Sequence, residues 1–291
     1  MNNLIRGKDL FRDWKADLLT GRKPIRFALA DDTSPLSVIQ AGPGLVSLWG
    51  GMPGIGKTAV LNQLFFDGLR LNEKLRVLIA NVEMTPQTLL DRQLSRLSGI
   101  DLESIQSRDL GPQHSDRLST GLAELETVIE RLGFVRGPFT IEAVAAAADK
   151  FEPDLICLDY LQRFTAAGDI GDKRTGVSVL MNFVRGFADA GACCFIVSAL
   201  ARTKNSQGRQ SYDAEALSMA TFRDSSELEY GTDAAYILVG GKERNERTLL
   251  NLKSRNGECR DIALEFDGAV QRFSGTFIDD VVSQAAGWWD K

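Results

Sequence analysis

Histidine is almost absent from this chain, His114 being its single copy. That leaves no basis for histidine-built metal or nucleophile chemistry, and His114 itself stands in a polar stretch that reads as a solvated loop. Cysteine is scarce too: Cys157, Cys193, Cys194 and Cys259 are all there are. None has metal-ligand spacing, and three lie in apolar strand-like runs, so they read as reduced, buried thiols of a cytosolic protein. No apolar run reaches the roughly eighteen residues of a membrane span. The opening Met1-Asn2-Asn3-Leu4-Ile5-Arg6 lacks the apolar core of a signal peptide. Positive charge is not in surplus either. Lys and Arg number 34 against 39 Asp and Glu, a net charge of −5. Any nucleic-acid contact must then come from local basic loops, because the field of the whole chain is mildly repulsive. Low-complexity tracts and internal repeats are also missing. What remains is a globular composition, 44% hydrophobic and 25% charged over 291 residues. It suits one large α/β domain with extensions, or two small domains.

Short apolar runs alternate with longer amphipathic stretches. Strands are expected at 45–49, 76–80, 155–159, 193–198, 234–239, 248–253, 260–266 and 269–273. Helices are expected near 58–71, 86–98, 116–132, 141–150, 177–190 and 224–230. Near-continuous apolar strands between helices predict a mostly parallel, twisted sheet with helices on both faces. The last three strands, joined by Arg-Asn-Gly and Asp-Gly turns, predict antiparallel hairpins at the C-terminal edge. Ahead of this, Leu4, Ile5, Leu10, Phe11, Trp14, Leu18 and Leu19 recur at near-helical spacing until Gly21 and Pro24 end the helix. Its apolar face needs a partner, either this domain or a neighbouring subunit. The tail, Phe277 to Trp289, is acidic and apolar and is expected to dock on this domain or on a partner.

The chemistry gathers around Gly51-Met52-Pro53-Gly54-Ile55-Gly56-Lys57-Thr58, directly after the run Leu45 to Trp49. The pattern G-x-x-x-x-G-K-T between strand and helix is that of a phosphate-binding loop. Glycines 51, 54 and 56 let the backbone approach a ligand closely. Main-chain N–H groups of Gly51, Gly54, Ile55, Gly56, Lys57, Thr58 and Ala59, in a turn completed by Pro53 at the positive end of the next helix, then face a polyphosphate. Lys57 reaches the terminal phosphates and the Thr58 hydroxyl ligates Mg²⁺. Leu155 to Asp159 is an apolar strand ending in a carboxylate, which can hold Mg²⁺ through water. Arg76 to Met84 is a strand delivering Glu83, a carboxylate able to orient and polarise an attacking water. Taken alone, each carboxylate also fits a plain structural role, as a strand cap or the start of a helix.

Four runs give context: Asn81-Val82-Glu83-Met84-Thr85-Pro86, Leu155 through Asp159-Tyr160-Leu161-Gln162, Phe222-Arg223-Asp224-Ser225 and Lys253-Ser254-Arg255-Asn256-Gly257. In this order they resemble the motor domain of DnaB-type replicative DNA helicases, within the RecA-like ATPases, over roughly residues 36 to 273. The resemblance implies a RecA-like core, ATP and Mg²⁺ as cofactors, a homo-oligomer in the form of a hexameric ring, and 5′ to 3′ movement along single-stranded DNA. It also implies replication partner proteins and a cytoplasmic setting in a bacterial, phage or plasmid context. By position Glu83 matches the catalytic glutamate and Asp159 the Mg²⁺-associated aspartate. Lys253 and Arg255 match the pair that reaches the γ-phosphate bound on the adjacent subunit. On this reading residues 1–30 form a linker-like helix, 31–275 the ATPase domain and 276–291 a tail.

The chain departs from the pattern in two places. The family's glutamine after the fourth core strand is replaced within Ser198-Ala199-Leu200-Ala201-Arg202, and the Ala199 methyl cannot hydrogen-bond a phosphate. Only some forty residues precede the first core strand, so the family's primase-interacting domain is expected to be missing. For DNA, Arg202, Lys204 and Arg209 form a small basic loop where the family's pore loop lies, and Lys173 and Arg174 sit in a second loop. An alternative keeps the fold but not the unwinding: a RecA-like ATPase acting as a regulator, loader or assembly switch.

Overall fold

The apolar runs become the interior strands of a sheet in the computed structural model. It describes residues 4–166, 173–200, 203–204, 210–211, 217–222 and 225–275. In chain order the strands are β1 (Val46–Gly51), β2 (Val77–Asn81), β3 (Leu132–Phe134), β4 (Leu155–Asp159), β5 (Cys193–Val197), β6 (Thr203–Lys204), β7 (Gln210–Ser211), β8 (Ala234–Gly240), β9 (Glu246–Ser254), β10 (Ile262–Asp267) and β11 (Arg272–Ser274). Nine of them form one sheet, ordered β11-β10-β9-β8-β1-β5-β4-β2-β3, while β6 and β7 pair with each other. From β8 to β3 every neighbour is parallel, and β9, β10 and β11 continue the sheet antiparallel. The parallel body and antiparallel C-terminal edge are those expected from sequence.

Both faces are buried because the strands alternate between two apolar layers. Trp49, Ile79, Cys157 and Phe195 pack on one side with α2 (Lys57–Leu71), α3 (Pro86–Ser98) and α5 (Ser115–Glu126). Leu48, Leu78, Ile156, Cys194 and Ile196 pack on the other with α6 (Ile141–Phe151), α7 (Lys173–Asp189) and α8 (Ser225–Gly231). Short α4 (Leu102–Ser107) lies against α3. Three of the cysteines are buried as expected, and Cys259 is exposed. Burial pushes the Cys193 thiol up to about 12, which makes it a small apolar residue in practice.

Trp49 is fully buried, with its ring centroid 4.9 Å from that of Tyr236 and 6.0 Å from that of Phe195. Its indole N–H donates to Ser47 Oγ. Trp49→Ala is expected to cost about 3–5 kcal/mol, read as a lower urea midpoint with an unchanged slope.

Two local expectations need correction. The helix expected over 116–132 stops at Glu126, and Leu132 begins the edge strand β3. Three residues are too few to show a strand period, and the apolar positions continue the helical spacing across the break. The strand expected at 269–273 begins only at Arg272, because residues 268–271 make the turn and Gln271 has φ 55°. The N-terminal helix is present as α1 (Gly7–Thr20), ended by Gly21 at φ 69°. None of its residues is buried, and Leu10, Phe11, Trp14, Leu18 and Leu19 all face solvent. Among the described residues no helix is long and apolar enough to cross a membrane.

Candidate functional site

β1 ends at Gly51 in the middle of the sheet, and α2 starts at Lys57, so the glycine-rich turn lies at the carboxyl end of a central parallel strand. Clefts in open α/β sheets form there. Gly51, Gly54 and Gly56 all take positive φ. Gly56 is constrained twice: its φ is 113°, and a Cβ there would lie 2.9 Å from the Phe273 ring. A larger residue is excluded on both counts. No side chain caps α2, so its first N–H groups are left for an anion. Lys57 is buried, and its ammonium donates to the main-chain carbonyls of Gly51 and Met52 at 2.9 and 2.8 Å. Burial lowers its pKa, with Asp159 and Glu83 pulling it back up.

Asp159 ends β4 next to this turn. Its Oδ2 accepts from the Thr58 hydroxyl at 2.9 Å and from the Asn81 amide at 2.8 Å. Its Oδ1 is buried without a hydrogen-bond partner. Burial raises the carboxyl pKa to about 6, while the Thr58 hydrogen bond and the Lys57 charge act the other way. A buried, half-satisfied carboxylate beside a threonine hydroxyl is a fit for hydrated Mg²⁺, whose charge would hold it ionised. Among the described residues no group of three or more acidic, histidine or cysteine side chains could hold a metal by itself. Phosphate oxygens and water would therefore have to supply the remaining ligands, which is usual for Mg²⁺.

Glu83 lies just past β2 and is exposed. Asn81 fixes the turn that presents it: its Oδ1 accepts from the main-chain N–H of Glu83 and of Met84 at 2.9 and 2.7 Å. One asparagine thus joins the two carboxylates. Gly54, Gly56, Lys57, Thr58, Ala59 and Glu83 line a single cleft with Met84, Tyr160, Arg92, Phe266 and Gln271. Pro53 and Ile55 complete the loop, with Ile55 packed on the core. Arg92 went unnoticed in the sequence. Its Nη1 donates to Gln271 at 2.9 Å, while its Nε is buried without a partner. The sequence signal for Asn81 was a polar residue ending a buried strand. For Arg92, one arginine on an amphipathic helix, there was none.

Lys253 and Arg255 do not join this cleft. Arg255 follows β9, and its Nη1 donates to Asp233 Oδ1 at 2.8 Å. Asp233 Oδ2 accepts from Arg185 at 3.1 Å and from the Val46 main chain at 2.9 Å. Lys253 donates to the carbonyls of Glu229 and Thr232. Asp233 is thus tied to Val46, the first residue of β1, whereas the glycine-rich turn follows its last. The length of β1, about 16 Å at the usual strand rise, separates the two. Arg255 is half-exposed there and cannot serve the cleft of its own chain.

Of the basic residues expected at DNA, Arg202 and Arg209 lie outside the described residues, as do the side chains of Lys173, Arg174 and Lys204. Lys173 and Arg174 do not sit in a loop as expected but open α7, which begins before the apolar positions that marked it from Val177, and Lys204 belongs to β6, whose partner β7 returns antiparallel. Trp288 and Trp289 of the tail also lie outside the described residues. Ala199 is half-buried just past β5 and is not among the cleft-lining residues.

Residues 42–275 match the family model of the DnaB-like helicase C terminal domain. A probable plasmid replicative DNA helicase of Chlamydia trachomatis serovar L2 is 23% identical over 231 residues, covering 76% of this chain and 49% of the relative. A second Chlamydia trachomatis protein of the same description matches to the same extent. The chain thus spans about half the length of these curated relatives. Among solved structures, an ATPase domain superposes with TM-score 0.79 at 15% identity, covering 94% of this chain and 100% of that one. A DnaB-like replicative helicase, solved for its interactions with primase, gives the same score and identity over 94% of this chain and 69% of its own. At that identity the likeness is one of fold, and the fold is RecA-like.

Proposed function

Because the chain belongs to the family of DnaB-like helicase C-terminal domains, we propose that it hydrolyses ATP at the subunit interfaces of a ring, hexameric by resemblance, to move on single-stranded DNA. The observation that carries this reading is the division of the catalytic set. Lys57, Thr58, Asp159 and Glu83 stand at one end of β1 and Arg255 at the other. A complete site then needs two copies. In it, the N–H groups of the turn and Lys57 hold the β- and γ-phosphates. Thr58 and Asp159 would hold Mg²⁺, which supplies neutralisation of charge on the phosphate oxygens when bound. Glu83 orients the attacking water, and Arg255 of the adjacent copy neutralises charge developing on the γ-phosphoryl group.

The basic residues Lys173, Arg174, Arg202, Lys204 and Arg209 supply phosphate contacts to DNA without base readout. The exposed apolar face of α1 seats on the neighbouring copy, which gives that face the partner it lacks among the described residues. The Ala199 methyl favours a second reading: a nucleotide-dependent regulator, loader or assembly switch that forms the same ring without unwinding.

Particle mass with a non-hydrolysable ATP analogue, with and without oligo-dT, tests ring and DNA together. The expected result is a hexamer of the 31.9 kDa chain that binds oligo-dT, with turnover stimulated by it. A monomer in every nucleotide state, with turnover indifferent to DNA, would sink the reading. Rings that hydrolyse ATP but separate no strands would favour the second one. Trp14→Ala, on the face of α1, is expected to shift the oligomer towards monomer while leaving the thermal midpoint unchanged, since no residue of α1 is buried. Unchanged mass would show that this face has another use.

A further inference from the structure

Gln162 lies three residues beyond Asp159, on a single turn of 3-10 helix (Leu161–Arg163). Both ends of its amide are engaged across the gap between β4 and β5. Its Nε2 donates to the Ser198 hydroxyl at 2.6 Å, and its Oε1 accepts from the Ala199 main-chain N–H at 3.2 Å. Ser198 is fully buried, and its own N–H donates to the carbonyl of Trp49 in β1. The residues just past β5 are therefore held by the turn that follows Asp159, through one side chain.

A second anchor lies one residue on. Leu200 pairs with Phe222 in an isolated antiparallel bridge, which closes the stem of the segment between them. Both side chains are buried against Gly50, where a Cβ would lie 2.6 Å from the Phe222 ring and 2.7 Å from Leu200. Gly50 directly precedes the phosphate-binding turn. The stem thus touches the nucleotide site twice, at the strand of Asp159 through Gln162 and at the strand of the turn through Gly50. The Ala199 side chain has no polar atom to contribute. The polar part of the link consists of the Gln162 amide, the Ser198 hydroxyl and one main-chain N–H.

We propose that Gln162 is the positioning residue through which the nucleotide site controls the segment from Leu200 to Phe222. That segment carries the β6–β7 pair and Lys204. The proposal rests on the reading of this segment as the DNA-contacting one. Displacement of the turn after Asp159 moves Gln162, and Gln162 moves Ser198 and Ala199 with it. Gln162 touches neither phosphate nor water in this scheme, so its loss leaves hydrolysis itself in place.

Gln162→Met keeps the length of the side chain and removes both amide functions, and Ser198→Ala removes one acceptor with little change of shape. Both are tested as full chains, in steady-state ATP turnover with and without oligo-dT and in nucleotide binding. The expected result for Gln162→Met is basal turnover and nucleotide affinity within about twofold of the parent, with stimulation by oligo-dT lost. Ser198→Ala is expected to lose part of the stimulation, and Gln162→Glu, which keeps the acceptor for Ala199 N–H, to fall between Met and the parent. Stimulation equal to the parent in both Gln162→Met and Ser198→Ala overturns the proposal. So does a parallel fall of basal and stimulated rates, which would mark a structural role. If the parent itself is not stimulated, the DNA reading fails and this inference falls with it, an outcome distinct from the other two.

Discussion

Arg255→Ala is expected to lower ATP turnover of the assembled protein by about 10³ to 10⁵-fold, the range for a guanidinium delivered in trans to phosphoryl transfer. Nucleotide binding should survive, because the cleft proposed for the phosphates lies at the other end of β1. The arginine is half-exposed, so its removal opens no cavity, and Asp233 keeps Arg185 and the Val46 N–H as partners. Mixing supplies the decisive measurement. Arg255→Ala and Lys57→Ala are each expected to be inactive alone. Co-assembled, they form some interfaces with an intact Lys57 on one side and an intact Arg255 on the other, and turnover returns. If the mixture stays as inactive as its parts while assembling normally, Arg255 does not act across an interface.

Glu83→Gln should produce the second large loss, about 10²- to 10⁴-fold in turnover, as expected for removal of a general base. The substitution is nearly isosteric. Asn81 holds position 83 by its main-chain N–H and not by its carboxylate, so the turn should keep its shape. Affinity for ATP should therefore hold or rise, since one negative charge leaves a cleft built for phosphates. Single-turnover hydrolysis set beside equilibrium binding separates the two effects. Hydrolysis at the parent rate would remove Glu83 from the mechanism.

The parallel body of the sheet was legible because strands buried on both faces must be apolar at nearly every position, as Leu155 to Leu158 and Cys193 to Val197 are. The start of α3 was legible because Thr85 and Pro86 are suited to a helix N-terminus, and Thr85 Oγ1 does accept from the Thr88 N–H. The glycine-rich turn between β1 and α2 was readable residue by residue because local backbone geometry alone dictates its glycines. β3 and α4 were missed because three and six residues are too short to show a period. The polar links were hidden for another reason. Asn81 meets Asp159, Arg92 meets Gln271 and Gln162 meets Ser198 across long stretches of sequence. Pairings at that range are set by the order of the strands in the sheet, which the sequence pattern of single elements does not contain. The same holds for Arg255. Its role in trans was suggested by resemblance, but only the pairing of β8 with β1 places it a strand's length from its own cleft.

That placement has a counting consequence. On the proposed reading each copy contributes to two sites, lending a cradle to one and a cation to the other, so the number of sites in a closed ring equals the number of copies. A copy defective at Lys57 spoils one site, and so does a copy defective at Arg255. A copy defective at both spoils two, one on either side of it. An open chain of copies always has one site fewer than it has members, with an unused cradle at one end and an unused guanidinium at the other. On that reading the six residues of β1 make closure of the ring the condition under which every bound nucleotide can be spent.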